Sequence, residues 1–472
     1  MDRRTFLASL GAGFLAARAA PAKPNFVFIL ADDLGARDLG CCGNPYYATP
    51  NLDRLAAQGA RFTNAYAACP VCSPTRASIL TGRYPVRTGV TDWITGRPSD
   101  PKGPVTTPRT ATELKLEETT IPEALKPAGY RSASVGKWHL GSHGFYPTDQ
   151  GFDVNIGGNE SGSPPRSRLP YFGPFELPGL TAKEGAFLPE LLTRGAVDFI
   201  RRNTANPFFL YLAHYSVHIP LGARAEEVAR HAAKAGGRYD PTYAAMVEAL
   251  DASVGSVLSA IGQSGIADRT LVVFFSDNGG LNYEGKSKSR VTDNSPFRAG
   301  KGHLFEGGIR EPLLMRFPGR IPAGAAIDVP VCSVDLMPTF CDLAGVKSGP
   351  ADGVSLMPLF RGRKLRERAL YWHYPHYSNQ GGEPGGAVRE GDWKLIEFYA
   401  DGRRELFNLR EDPGEKLNLA ARRPEIARKL AAGLAAWRKE TGAALPWKNP
   451  QADPNWPGFQ LTGEEKPTPP AR

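Results

Sequence analysis

Five short apolar runs, at residues 25–31, 131–135, 208–213, 271–275 and 313–317, constrain the fold more than any other feature of the chain. Each has the length of a strand, and the first, rich in Val, Phe and Ile, reads as one buried on both faces. Between them, residues 188–201 and 243–261 carry apolar side chains at helical spacing, and Thr49-Pro50 opens a further helix that runs to about Ala57 and is ended by Gly59. Buried strands alternating with amphipathic helices predict an α/β fold: a large, mixed, mostly parallel sheet sandwiched by helices. A chain of 472 residues, 41% hydrophobic and 22% charged, can build one large domain plus a smaller one, and is not of disordered composition.

The smaller unit is expected to begin near Leu359, after a loop at residues 353–358. A strand at 393–399, a turn at Asp401-Gly402, a returning strand at 405–408 and a helix from about 424 to 441 predict a small antiparallel sheet with one covering helix. The expected layout is a leader over 1–20, a large domain over 21–358, a C-terminal subdomain over 359–442 and an extended tail rich in Pro, Asn and Gly over 443–472.

In the leader, Arg3 and Arg4 precede an apolar stretch over residues 6–17, and Ala17-Arg18-Ala19 offers small residues to a signal peptidase. That pattern resembles a twin-arginine export signal, which implies the twin-arginine export machinery as a partner and a periplasmic or extracellular bacterial location. Arg18 leaves the run short of the ~20 residues a bilayer span requires. No later stretch reads as a span, so an integral membrane protein is not expected. Cleavage after Ala20 would remove Arg3, Arg4, Arg18 and Asp2 and take the formal charge from +9 to +7. Such a surplus suits an anionic ligand. The basic residues are dispersed and fall in no nucleic-acid-binding motif, so nucleic acid is not expected as a partner. Six cysteines, at 41, 42, 69, 72, 332 and 341, include an adjacent pair, and a globular chain of this size needs no disulfide framework.

Chemistry concentrates where open α/β sheets place their ligands, at the carboxyl ends of strands. The first strand runs into Asp32-Asp33, and the strand at 271–275 runs into Ser276-Asp277-Asn278-Gly279-Gly280. Three carboxylates and an amide oxygen form a hard-oxygen set suited to calcium or magnesium. Each fragment alone also reads as a tight turn. Cys72-Ser73-Pro74-Thr75-Arg76 continues through Ala77-Ser78-Ile79-Leu80 to Thr81-Gly82-Arg83. Pro74 can open a helix, which puts residue 72 at a helix N-terminus, where backbone donors favour an anion. Arg76, one turn on, is expected to reach back to an oxygen at position 72. Cys69-Pro70-Val71-Cys72 alone could be a redox pair, but such a pair predicts neither Pro74 and Arg76 nor the segment that follows.

This segment resembles the type I sulfatase signature, with Cys, Pro and Arg at alternate positions followed by Leu-Thr-Gly-Arg. The resemblance extends in family order through nearly the whole mature chain, to Gly136-Lys137-Trp138-His139-Leu140-Gly141, to His218 in Ser216-Val217-His218-Ile219-Pro220, and to Gly300-Lys301-Gly302-His303 with Glu306-Gly307-Gly308-Ile309-Arg310-Glu311-Pro312. Within the family the sequence looks most similar to bacterial relatives of arylsulfatase A and N-acetylgalactosamine-6-sulfatase. The resemblance implies an alkaline-phosphatase-like fold and hydrolysis of sulfate esters. It also implies that a maturation enzyme oxidises Cys72 to formylglycine, whose hydrate is a geminal diol, and that one calcium ion is held by Asp32, Asp33, Asp277, Asn278 and residue 72. Arg76 would steady residue 72, Lys137 and Lys301 would bind sulfate oxygens, His218 would protonate the departing alcohol, and His139 would take the proton of the second hydroxyl.

Two alternatives share these residues: a phosphate or phosphonate monoester hydrolase of the same superfamily, and a catalytically inactive exported glycan-binding protein. The expected substrate is a sulfated carbohydrate or an aryl sulfate, and a basic exported chain suits a sulfated polysaccharide better than a neutral steroid sulfate. Residues 93–97, 159–174 and 373–386 are expected to rim the pocket.

Overall fold

β1 (Asn25–Ala31) runs through the larger sheet with all seven residues buried, as an uninterrupted apolar strand must when both faces are covered. The computed structural model describes residues 23–165, 168–282 and 291–456, so the predicted leader at 1–20 and the end of the predicted tail lie outside the described residues. The sheet also takes β2 (Ala60–Phe62), β3 (Arg131–Gly136), β4 (Val154–Ile156), β5 (Phe208–Ala213), β6 (Thr270–Ser276), β7 (Leu313–Arg316) and β8 (Ala325–Ile327), in the order β8-β2-β7-β6-β1-β5-β3-β4. From β6 to β4 every pairing is parallel, while β7 runs antiparallel to both β6 and β2. The fold is the mixed, mostly parallel α/β sandwich the sequence predicts.

Alternate residues of β1 enter two different cores. Val27 and Ile29 meet α1 (Pro50–Ala57), α3 (Leu188–Arg202), and α5 (Pro241–Gln263), which α4 (Ala225–Ala235) precedes. Phe26, Phe28 and Leu30 meet α2 (Cys72–Thr81) and α6 (Leu336–Ala344) on the other face. The period-two alternation of a strand thus becomes two helical layers. The sequence reading of membrane-length stretches needs one correction, because α5 is long and apolar enough to cross a bilayer. Its Leu250, Val254, Val257 and Ile261 instead lie fully buried in the first of these cores, so its apolarity is that of a central packing helix.

A second sheet is an antiparallel meander of β9 (Ala369–Tyr374), β10 (Gly385–Glu390), β11 (Trp393–Phe398) and β12 (Arg404–Asn408), covered by α7 (Pro424–Thr441) through Leu430, Leu434 and Trp437. The sequence reading finds β11, β12 and α7. Of the expected rim at 373–386, residues 373–374 and 385–386 belong to β9 and β10 and the remainder connects them. His373 is a buried strand residue that bonds the Tyr399 hydroxyl at 2.7 Å and the Ala444 carbonyl at 3.1 Å. From the tail, Trp447–Lys448 pairs with Val105–Thr106.

A buried ionic knot docks this sheet on the larger one. Lys394 of β11 lies 2.9 Å from both Glu306 and Glu415, all three out of water. The Tyr66 hydroxyl donates to Glu306 at 2.7 Å. Against the upward push of burial, Lys394 and Arg310 hold the Glu306 carboxyl at about 2, whereas burial outweighs Lys394 at Glu415 and leaves it at about 7.

Candidate active site

The register of β1 and β6 builds the first half of the site. Ala31 pairs with Ser276, so Asp32 and Asp277, one residue beyond each strand, emerge side by side. Gly136 pairs with Ala213, which pairs with Leu30, and this brings Lys137 to the same edge. Its Nζ donates to Asp32 Oδ2 at 2.7 Å. Asp33 accepts from Lys301 Nζ at 2.8 Å on one oxygen and from Asn278 Nδ2 at 2.7 Å on the other. Asp33 and His139 both hold left-handed backbone conformations, at φ 61° and 58°. Such conformations are costly for residues other than glycine and gather at functional sites.

Cys72 is the first residue of α2, after extended Val71, which places it at the helix N-terminus as the sequence predicts. With a thiol at residue 72, and no oxygen there for it to reach, Arg76 is held by other partners. Its guanidinium binds Asp277 Oδ2 through Nε at 2.9 Å and Nη2 at 2.7 Å, and donates through Nη1 to the Lys137 carbonyl at 3.0 Å. A fully buried guanidinium needs an anionic partner, and Asp277 supplies one where the neutral thiol of residue 72 cannot.

His139 is held on every side. Its Nδ1 lies 3.3 Å from Cys72 Sγ, and its Nε2 lies 2.5 Å from the Ile94 carbonyl. A carbonyl only accepts, so Nε2 carries the proton and Nδ1 presents a lone pair to residue 72. Ser73 Oγ donates to the His139 carbonyl at 2.9 Å and accepts from Ile94 N–H at 3.1 Å, which fixes the carbonyl that orients the ring. Sequence reasoning gave Ser73 and Ile94 no role toward His139; Ser73 lay inside the signature and Ile94 inside the 93–97 stretch expected to rim the pocket. His218 lies with Nε2 3.7 Å from Asp33 Oδ2 and Nδ1 2.5 Å from the Ile219 carbonyl.

Burial, with Lys137 beside His139 and Lys301 beside His218, holds both imidazoles well below their ordinary range, so both are neutral here. Burial pushes the thiols of Cys69 and Cys72 up. That is the reverse of the activated thiolate a redox pair requires. Burial works against Asp33 as well, yet Lys301, with Lys137 adding to it, holds it well below the usual carboxylate range.

Asp32 is the strained member of the group. Burial, with Asp277 and Asp33 adding to it, pushes its carboxyl up to about 8 in spite of Lys137 and Arg76. Its Oδ1 and the Oδ1 of Asn278 are buried with no hydrogen-bond partner among the described residues. Asp32, Asp33 and His218 each bring a ligand atom to within 4.8 Å of the others. A hard divalent cation would satisfy the orphaned oxygens and favour the ionised form of Asp32. The sequence-predicted residues Asp32, Asp33, Cys72, Arg76, Lys137, His139, His218, Asp277, Asn278 and Lys301 are thus linked in one buried polar cluster.

The model of the family described as Sulfatase matches residues 24–346. The chain belongs to the sulfatase family. A second family model, N-sulphoglucosamine sulphohydrolase, C-terminal, matches residues 299–440. The chain is 35% identical to human (Homo sapiens) arylsulfatase A over 90% of this chain and 89% of that protein. It is 37% identical to the N-acetylgalactosamine-6-sulfatase of Canis lupus familiaris over 77% and 71%. Among solved structures, Ps i-CgsB superimposes with a TM-score of 0.76 at 31% identity, covering 94% of this chain and 96% of that one. This sulfatase is accordingly a sulfuric ester hydrolase, as its named relatives are. A phosphonate monoester hydrolase of Agrobacterium radiobacter, at 20% identity and a TM-score of 0.63, shares the fold.

Proposed function

We propose that this sulfatase removes sulfate from a sulfated carbohydrate after conversion of Cys72 to formylglycine, with a calcium ion held by Asp32, Asp33, Asp277, Asn278 and residue 72. Calcium would supply positive charge to polarise a sulfate oxygen and favour loss of a proton at residue 72. A hydrated aldehyde there offers two hydroxyls, one to attack sulfur and one to lose its proton when sulfate is expelled, where serine or cysteine offers one group. Lys137 and Lys301, each already turned on a carboxylate, offset the charge that builds on the sulfate oxygens. His139 Nδ1 accepts the proton of the second hydroxyl. His218 Nε2 gives a proton to the departing alcohol, and the negative charge of the ester is what offsets Lys301 enough to let His218 hold that proton.

The observation that carries this reading is the 3.3 Å approach of His139 Nδ1 to Cys72 Sγ at a helix N-terminus, beside a carboxylate cluster with two orphaned oxygens. Carbohydrate is favoured because a relative of Ps i-CgsB type was solved with k-i-k-neocarrahexaose bound, at 31% identity and a TM-score of 0.75, and because the basic chain suits a polyanion. The arginine pair Arg3-Arg4 supports export to the periplasm or beyond. Peptide mass spectrometry across residue 72, on protein made beside a maturation enzyme, should show the aldehyde. An intact thiol in fully active enzyme would refute the mechanism. Faster hydrolysis of an aryl phosphate than of the matching aryl sulfate would favour the phosphate or phosphonate ester reading.

A further inference from the structure

Gly162 packs directly against the imidazole of His139. A Cβ added at this position would lie 2.3 Å from His139 Cε1, 2.6 Å from Nε2 and 2.8 Å from Nδ1. All three atoms belong to the edge of the imidazole that does the bonding. We infer that Gly162 is a positioning residue for His139, and that the missing side chain is what lets the ring reach residue 72. The inference rests on the proposed role of His139 as proton acceptor.

Neither side of the contact has room to yield. Nδ1 is held toward Cys72 and Nε2 toward the Ile94 carbonyl. The histidine backbone is pinned through its N–H to the Asn159 carbonyl at 3.1 Å and through its carbonyl to Ser73. On the other side, the Asn159 side chain accepts from Ser161 N–H at 3.0 Å, and Ser161 Oγ donates to the Ser163 carbonyl at 2.9 Å. The loop is therefore tied to the backbone of the histidine it covers. Its conformation does not itself demand glycine, because Gly162 is absent from the positions with positive φ. Alanine can adopt this backbone, so the barrier to a side chain is steric contact with the ring. A methyl group must push the imidazole off one of its two hydrogen bonds, and a displacement of about 1 Å can cost on the order of 100-fold in rate.

The test is a cycle of Gly162→Ala, His139→Ala and the double variant, each checked by mass for the same state of residue 72. It is read by thermal unfolding and by pre-steady-state release of nitrophenol from nitrophenyl sulfate. Gly162→Ala should keep a first burst of nitrophenol, lose about 10- to 100-fold in steady-state turnover and unfold at lower temperature than wild type. In the His139→Ala background, where the ring is gone, the added methyl should change neither turnover nor unfolding temperature. Wild-type turnover in Gly162→Ala would overturn the inference. So would losses that multiply in the double variant, or a double variant that fails to fold. Absence of sulfate-ester turnover in wild type would instead count against the proposed function, while the thermal cycle would still decide whether Gly162 acts through His139.

Discussion

His139 and His218 share depressed basicity but face different atoms, Nδ1 toward Cys72 in one case and Nε2 toward Asp33 in the other. If His218 serves the leaving group, His218→Ala should slow a sulfated sugar by about 100- to 10,000-fold and a nitrophenyl sulfate far less, because a good leaving group needs little protonation. His139→Ala should give rapid release of one equivalent of nitrophenol followed by slow turnover. Stopped-flow kinetics on both substrates separates the two, and identical profiles would contradict the division of roles. Arg76 makes a different demand, since it spans the Asp277 carboxylate and the Lys137 carbonyl. Lysine keeps the charge but cannot bridge both groups. Arg76→Lys should lower stability by about 2 kcal/mol in urea unfolding and reduce turnover as Asp277 and Lys137 shift. Unchanged stability would show that the bridge is dispensable.

Elements whose identity is local were legible in the chain. β1 reads directly because a strand buried on both faces is a continuous apolar run, and α2 starts at Cys72, close to where Pro74 puts a helix N-terminus. Elements made by partners were not. β10 opens with Gly385-Gly386, poor strand formers, and exists because β9 and β11 bond it from both sides. At α1 the sequence points to Thr49 as the cap, yet the first-turn N–H groups of Asn51 and Leu52 donate to Asp251 of α5. Ile94 and Gly162 fall in stretches expected to rim the pocket, but their contacts with His139 cross long stretches of chain and leave no periodic trace. Just past β9, His376 is buried and bonds Thr91 Oγ1 at 2.9 Å. Burial, with His373 adding to it, holds its imidazole down at about 3. Above pH ~6.5 the unfolded and folded chains are both neutral at this residue. As pH falls below that, the unfolded chain takes up a proton that the fold refuses, and stability drops by about 1.4 kcal/mol per unit. His376→Gln should remove this dependence and lose about 2 kcal/mol less than wild type between pH 7 and pH 5. Urea unfolding at the two pH values measures the difference, and parallel losses would show that His376 titrates normally.

For the whole molecule, the proposed cation joins residues that only the finished sheet assembles, since Asp32-Asp33 and Asp277-Asn278 lie on separate strand ends brought level by the register of β1 and β6. Three buried carboxylates, Asp32, Asp33 and Asp277, face three buried cations, Arg76, Lys137 and Lys301. These cations offset much of the negative charge, yet Asp32 is still pushed up to about 8 and two buried oxygens are unpartnered among the described residues. A divalent ion corrects both defects in the folded chain and has no assembled site in the unfolded one. Calcium at 100 times its dissociation constant should therefore add about 2.7 kcal/mol of stability. Chelated enzyme should unfold at lower temperature and turn over nothing, and calcium should restore both properties. Asp33→Ala should abolish activity and the calcium-dependent shift together, because it removes a ligand and strips buried Lys301 of its counter-charge. Calorimetry with calcium and with chelator gives the shift directly. Equal unfolding temperatures, or full turnover in thoroughly chelated wild type, would exclude a resident cation.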